Sequence, residues 1–155
     1  MIRLIIVFVC LFLFSCHPEG RIFIEHQALS PNLFWTKANI KTFKVPIENT
    51  EDVYNIKIAF RYVYGYPYKT AKVKLTEIDP NGDIQISLHD LKVREDNGEF
   101  IGEPGLDIWD SEHMAIKDKD YSIIGNYTYK IEHNMPMDTL PLAMEIGLII
   151  DKVLH

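Results

Sequence analysis

Cysteine is almost absent. The 155 residues contain two, Cys10 and Cys16, both near the start. The rest of the chain therefore has no pair to bridge and is not a disulfide scaffold. It also lacks paired-cysteine and H-E-x-x-H spacings, which excludes the familiar zinc sites. There is no G-x-S-x-G elbow and no glycine-rich phosphate loop after a strand. No apolar run approaches the roughly 20 residues that a membrane-spanning helix needs. Positive charge is in deficit, with 16 Lys and Arg against 22 Asp and Glu. An acidic body suits neither nucleic acid nor an anionic membrane surface. Repeats and heptad seams are missing, and no stretch offers a helix longer than two turns.

The longest apolar run covers Leu4 to Ser15, follows Arg3 and ends at Leu13-Phe14-Ser15-Cys16. A short apolar core behind one positive charge reads as a secretory leader. Its end resembles the bacterial lipobox, with an aliphatic residue three positions before the cysteine and a small residue just before it. Residues 1–15 are thus expected to be a lipoprotein signal peptide and Cys16 the lipidated residue. A thioether to lipid also removes the one thiol that export would leave unpaired. Each buried methylene contributes about 0.8 kcal/mol, so two or three acyl chains anchor a protein firmly. The mature chain keeps 15 Lys and Arg against 22 Asp and Glu, a net charge of about −7. Residues 16–33 read as a tether, and 34–155 as one domain large enough for a real core.

That domain reads as β. Ile56, Ile58, Phe60, Tyr62 and Tyr64 alternate with Lys57 and Arg61, the period-two pattern of a half-buried strand. Val73 and Leu75 alternate before Asp79-Pro80-Asn81-Gly82, and Ile84, Ile86 and Leu88 alternate after it, which predicts a hairpin. A second turn is expected at Asp96-Asn97-Gly98. Tyr127, Tyr129, Ile131 and His133 alternate, as do Met144, Ile146, Leu148 and Ile150. Ala143, Gly147 and Ile149 give this last strand a second apolar face. The expected fold is an all-β antiparallel sandwich, jelly-roll or immunoglobulin-like.

Two stretches carry candidate chemistry. In "GEPGLDIWDSEH" (102–113), Asp107, Asp110, Glu112 and His113 lie close together. Asp107, Asp110 and Glu112 are oxygen donors of the kind calcium takes, although the spacing matches no calcium loop. In the plainer reading the glycines shape a loop, the aspartates bond local amides and Trp109 packs inward. In "FRYVYGYPYKT" (60–70), Tyr66 and Tyr68 follow Tyr62 and Tyr64 at every second position. Tyrosines suit binding surfaces and sugar stacking, or they are core residues beside a bend. His26, His89, His113 and His133 are scattered, without ligand spacing. No catalytic residue and no cofactor site emerges.

With these residues in hand, the chain resembles the GldH family of gliding-motility lipoproteins from Bacteroidetes, from about Trp35 to Lys152. "YNIKIAFRYVYGYPY" is similar to the family's Y-N strand leading to Y-P-Y. "GEFIGEPGLDIWD" resembles its glycine-rich segment ending in D-I-[WY]-D, with Leu106 where the family has glycine. "GNYTYKIEHNMPMDTLPLAMEIGLIIDK" resembles its C-terminal region, with Pro136 and Ile149 in place of arginines. The resemblance implies a lipid-anchored, non-enzymatic envelope component of the motility or type IX secretion machinery. Its partners would be other envelope proteins, with the membrane reached through the lipid and the periplasmic face favoured. The surface candidates it carries over are Tyr66, Tyr68, Asp107, Trp109, Asp110 and Glu132. The alternative is a carbohydrate-binding β-sandwich on the envelope, with Tyr66 and Tyr68 as stacking residues. An enzyme would need two facing carboxylates, and sequence does not show facing.

Overall fold

The computed structural model describes residues 20–154. The expected leader and Cys16 lie outside the described residues. The chain forms β1 (Arg21–Ala28), β2 (Phe34–Thr36), β3 (Lys41–Ile47), β4 (Val53–Val63), β5 (Thr70–Ile78) and β6 (Ile84–Lys92). It continues with β7 (Glu103–Pro104), β8 (Ile108–Asp120), β9 (Gly125–His133), β10 (Thr139–Pro141) and β11 (Ala143–Lys152). One sheet has the order β1-β11-β4-β8-β7 and faces a second of order β3-β9-β5-β6. β2 and β10 form a separate two-stranded ribbon. Every pairing is antiparallel, and the two sheets pack as a sandwich, the expected class.

Period-two patterning builds the core. β4 buries Ile56, Ile58, Phe60 and Tyr62, and β11 buries Ile146, Leu148 and Ile150. The facing sheet contributes Phe43, Val45 and Ile47, then Val73 and Leu75, then Tyr127, Tyr129 and Ile131. Each such side chain contributes about 1.5–3 kcal/mol when fully buried. The β2–β10 ribbon brings Trp35 into the interior, where its indole N–H donates to the Asn39 carbonyl at 2.8 Å. The Asp79–Gly82 turn forms as expected. Asp79 Oδ1 accepts from the Asn81 and Asp83 amides, each at 2.8 Å, and Gly82 takes φ 93°.

One charged network is buried. Lys119 Nζ donates to Glu77 Oε1 at 2.7 Å, and the Tyr129 hydroxyl donates to Glu77 Oε2 at 3.1 Å. Tyr129 has then used its proton, so Tyr121 is the donor in the 2.6 Å bond between the two hydroxyls. Burial holds both tyrosines well above the ordinary phenol range.

Four sequence expectations change. Residues 21–28, within the stretch read as a tether, form β1 and pair with β11 from Arg21–Asp151 to Ala28–Glu145. The acidic stretch 102–113 is mostly strand: Glu103–Pro104 form β7, and from Ile108 it is β8, the longest described strand. The tyrosine strand ends before Gly65, as that glycine and Pro67 imply, but Tyr64 faces solvent instead of joining the core face of Ile56 to Tyr62. In β6 the alternation is present, but Ile84, Ile86 and Leu88 face outward, while Ser87 and His89 bond each other at 2.7 Å on the other face.

Candidate functional site

The outward face of the five-stranded sheet carries the densest polar arrangement. Strand register sets it in rows. Asp110, Arg61 and Glu145 lie side by side across β8, β4 and β11. The next row is Glu112, Ala59, Gly147 and His26. The row after that is Met114, Lys57, Ile149 and Ile24. Ala59 and Gly147 are too small to fill the middle row, so it sinks between its neighbours. The resulting hollow is about 400 Å³, bounded by His26, Arg61, Gly102, Glu103, Asp110 and Glu112.

Gly147 is needed here for space. A Cβ on it would stand 2.7 Å from His26 Nδ1 and 3.0 Å from the Glu25 carbonyl oxygen. β7 forms one wall, and Gly102 brings it against β8. Gly102 has φ 119°, and a Cβ there would collide with the Asp110 carbonyl.

Ion pairs order the floor and rim. The Arg61 guanidinium grips Asp110 with two bonds, Nε to Oδ1 at 2.6 Å and Nη2 to Oδ2 at 3.0 Å. Its Nη1 donates to Glu145 Oε2 at 2.9 Å. Lys57 Nζ lies 2.9 Å from Asp151 and 3.6 Å from Glu112, and Arg21 Nε bonds Asp151 at 2.8 Å. Burial alone would lift the Asp151 carboxyl; Arg21 and Lys57 together outweigh it and hold it below the ordinary carboxylate value. Three carboxylates (Glu103, Asp110, Glu112) and one guanidinium line the hollow, so its rim is acidic.

Beneath it, Ser111 and His113 sit on the inward face of β8. The Ser111 hydroxyl donates to the Phe60 carbonyl at 3.0 Å. Its proton is committed, so His113 Nε2 is the donor in the 3.0 Å bond to Ser111 Oγ. The pair is therefore wired opposite to a serine activated by a histidine base.

The sequence candidates divide among several places. Asp110 belongs to the hollow. Trp109, half-buried, packs on Phe100 with ring centroids 5.4 Å apart, and Arg94 covers Phe100 at 4.0 Å. Asp107 is exposed and accepts the Tyr64 amide through its carbonyl at 2.8 Å. Tyr66 is not on the surface: its ring is fully enclosed against Phe60, Tyr62 and Tyr68. The turn at Gly65 redirects it inward, and burial pushes its hydroxyl above the ordinary phenol range. Tyr68 is partly buried and lines a groove with Met135, Pro136 and Met137. Glu132 lies on the other sheet, paired with Lys74. Asp107, Asp110 and Glu112 do not converge, since Arg61 and Lys57 occupy two of the three carboxylates. Among the described residues, no three His, Cys, Asp or Glu side chains could hold a metal ion together. From sequence His26 reads only as one of four scattered histidines, and Arg61, Glu145 and Gly147 carry no site role. The alternation of Arg61 against a buried face was the one signal available.

A family model described as GldH lipoprotein matches residues 21–150. The chain belongs to the GldH lipoprotein family. Gliding motility lipoprotein GldH of Flavobacterium johnsoniae is 23% identical over 128 residues, covering 83% of this chain and 77% of that protein. A structure of TmCBM61 in complex with β-1,4-galactotriose aligns over 88% of this chain and 92% of its own. Its identity is 12% and its TM-score 0.34, a likeness too distant to bear on the site. Two glycines of the segment resembling the family's have visible reasons here. Gly102 admits β7 against β8, and a Cβ on Gly105 would stand 2.8 Å from Ile108 Cγ1. Ile149, where the family resemblance has arginine, sits in the row beside the hollow between Lys57 and Ile24.

Proposed function

We propose that the chain is a non-enzymatic docking component of the gliding-motility machinery or its associated type IX secretion apparatus. It would be held in the cell envelope by lipid on Cys16, on the periplasmic face. The observation that carries the docking reading is the hollow on the five-stranded sheet. Its carboxylates and guanidinium are ordered on rigid strands, which suits recognition of a partner's basic and amide groups. Family membership supports the setting, and the committed Ser111 proton supports a role without covalent chemistry.

The carbohydrate reading draws on the sandwich fold, the acidic loop and two stacking rings. Tyr66 offers no face to a sugar, which leaves Tyr68 alone.

The test is gentle crosslinking in native membranes with a C-terminal tag, followed by identification of captured envelope proteins. Cys16→Ala and Glu112→Arg would be run beside the unaltered chain. Glu112 is half-exposed on the rim, and circular dichroism of the charge-reversed chain checks that the fold is intact. Motility or secretion proteins should be captured by the unaltered chain and lost from both variants. Capture of nothing reproducible would sink the docking reading. Capture unchanged in Glu112→Arg would move the contact away from the hollow.

A further inference from the structure

Among the described residues the two sheets of the sandwich have four outermost strands, and three of them are guarded. So is the length of β8 that the short β7 leaves uncovered, which carries Glu112, Lys117, Asp118, Lys119 and Asp120 and pairs with β4 in shifted register. β3 carries Lys41, Lys44 and Pro46. β1 is irregular in register between Arg21 and Phe23. β7 is two residues long and contains Pro104. Lysines, prolines, irregularities and short length all discourage another strand from adding to a sheet. β6 has none of these over its central stretch. It is nine residues long, pairs with β5 in unbroken register, and has no charge from Ile84 to Leu88. The outward side chains there are bare: Ile84, Ile86 and Leu88 are 61%, 62% and 64% exposed.

Among the described residues, no strand pairs with the outer side of this stretch. Asp79 N–H donates to the Asp83 carbonyl at 3.0 Å, and Val93 N–H donates to the Lys69 carbonyl at 2.8 Å. These bonds bracket the β5–β6 ladder. By antiparallel alternation, the odd-numbered residues of β6 bond β5. The N–H and C=O groups of Ile84, Ile86 and Leu88 therefore point away from the sheet.

We propose that two copies of this chain pair edge to edge through β6, antiparallel, with Ile86 on the two-fold axis. The strand is suited to itself. Ile84-Gln85-Ile86-Ser87-Leu88 reads apolar, polar, apolar, polar, apolar in either direction. In this register Ile86 faces Ile86 and Ile84 faces Leu88, each with its free N–H and C=O turned toward the other strand. His89 falls opposite Asp83, Asp90 falls opposite Gly82, and no like charges face one another. Ile78, beside Ile84 on β5, extends the apolar strip. The contact is isologous and closes, joining two four-stranded sheets into one of eight.

The test uses the full chain in native membranes and after detergent extraction. In a hydrogen-bonded antiparallel pair the two Cα atoms of residue 86 would stand about 5.5 Å apart, within disulfide reach. Ile86→Cys should give a disulfide-linked dimer on mild oxidation. Lys44→Cys, on the guarded strand β3, and the unaltered chain should not. Sedimentation of the extracted protein should give the mass of two copies, falling to one in Ile86→Lys. Leu88→Glu serves in its place if that variant does not fold, as judged by circular dichroism. A single-copy mass for the unaltered chain with no Ile86→Cys link would overturn the proposal. So would a dimer that survives both charged variants. Linkage of Ile86→Cys to a different protein would show that a partner's strand, not a second copy, occupies this edge.

Discussion

Lys119 is the cation on which the buried Glu77 carboxylate depends. Its side chain is 14% exposed and that of Glu77 6%. Replacing Lys119 with Met would leave the carboxylate paired only to the Tyr129 hydroxyl. An uncompensated buried charge costs about 3–5 kcal/mol, so urea unfolding of Lys119→Met should show a loss near the low end of that range. Lys119→Met with Glu77→Gln should recover part of it, because the stranded charge is gone. Arg61 holds two carboxylates at a more exposed site. Solvent screening reduces the loss expected for Arg61→Ala to about 1 kcal/mol. Arg61→Lys should not restore it, since one ammonium cannot reproduce the two-bond grip on Asp110.

His133 gives a pH dependence of definite sign. It is buried beside Trp35, with Lys37, Glu132 and Asp138 around it, and burial holds it below the ordinary value of 6.5. The unfolded chain takes up a proton near 6.5, whereas the folded one does so only at lower pH. The site therefore contributes its full stability above 6.5 and loses it as pH falls from there through the folded value. His89 and His113, also lowered by burial, act in the same direction. Urea midpoints should fall between pH 7.5 and pH 5, and the fall should be shallower in His133→Phe. Asp151 acts in a separate, more acidic window, below its ordinary 3.8.

At the scale of elements, Gly102 is the most sensitive single position. Its positive φ and the nearby Asp110 carbonyl leave no room for a side chain. Gly102→Ala should cost about 2–3 kcal/mol, release β7 from β8, and open the 94–107 loop to limited proteolysis. Gly82→Ala shares the positive φ but has nothing within 4 Å, so its cost should be smaller. β4, β5, β9 and β11 were legible because one face of each is apolar and the other polar, or both faces are apolar. β8 was hidden because its inward residues include Ser111 and His113 and its outward ones Asp110 and Glu112, so neither face reads as apolar. β1 was hidden for the opposite reason. Ile22 and Ile24, the apolar members of its outward face, remain exposed, and its strand character comes from backbone pairing with β11. β6 shows what alternation leaves out: the period was readable, but which side meets the core was not. The hollow was illegible for a related reason. It is assembled across five strands, most of them distant in sequence, by a register that no single segment encodes.

At the scale of the whole molecule, stability rests on a core drawn from both sheets and closed at one end by the Trp35 ribbon. Deleting residues 21–28 should therefore harm the fold, because it bares the β11 edge and uncovers Ile149, which is fully buried now. Loss of the cooperative unfolding transition in that deletion is the expected result; a true tether would be removable without effect. The same strand decides how the body stands relative to a bilayer. With lipid on Cys16, as proposed, only five peptide units separate the anchor from Arg21, a reach of at most about 17 Å. Arg21 lies at the end of the sandwich that carries Asp151, the 48–52 connection and the Asp79–Gly82 turn. That end would then lie within about 17 Å of the lipid. The opposite end, with Tyr64, Phe100, Leu106 and Trp109, would stand out by roughly the length of an eleven-residue strand, about 35 Å further. The domain would behave less like a float on a long line than like a short post, with its aromatic tip held away from the membrane.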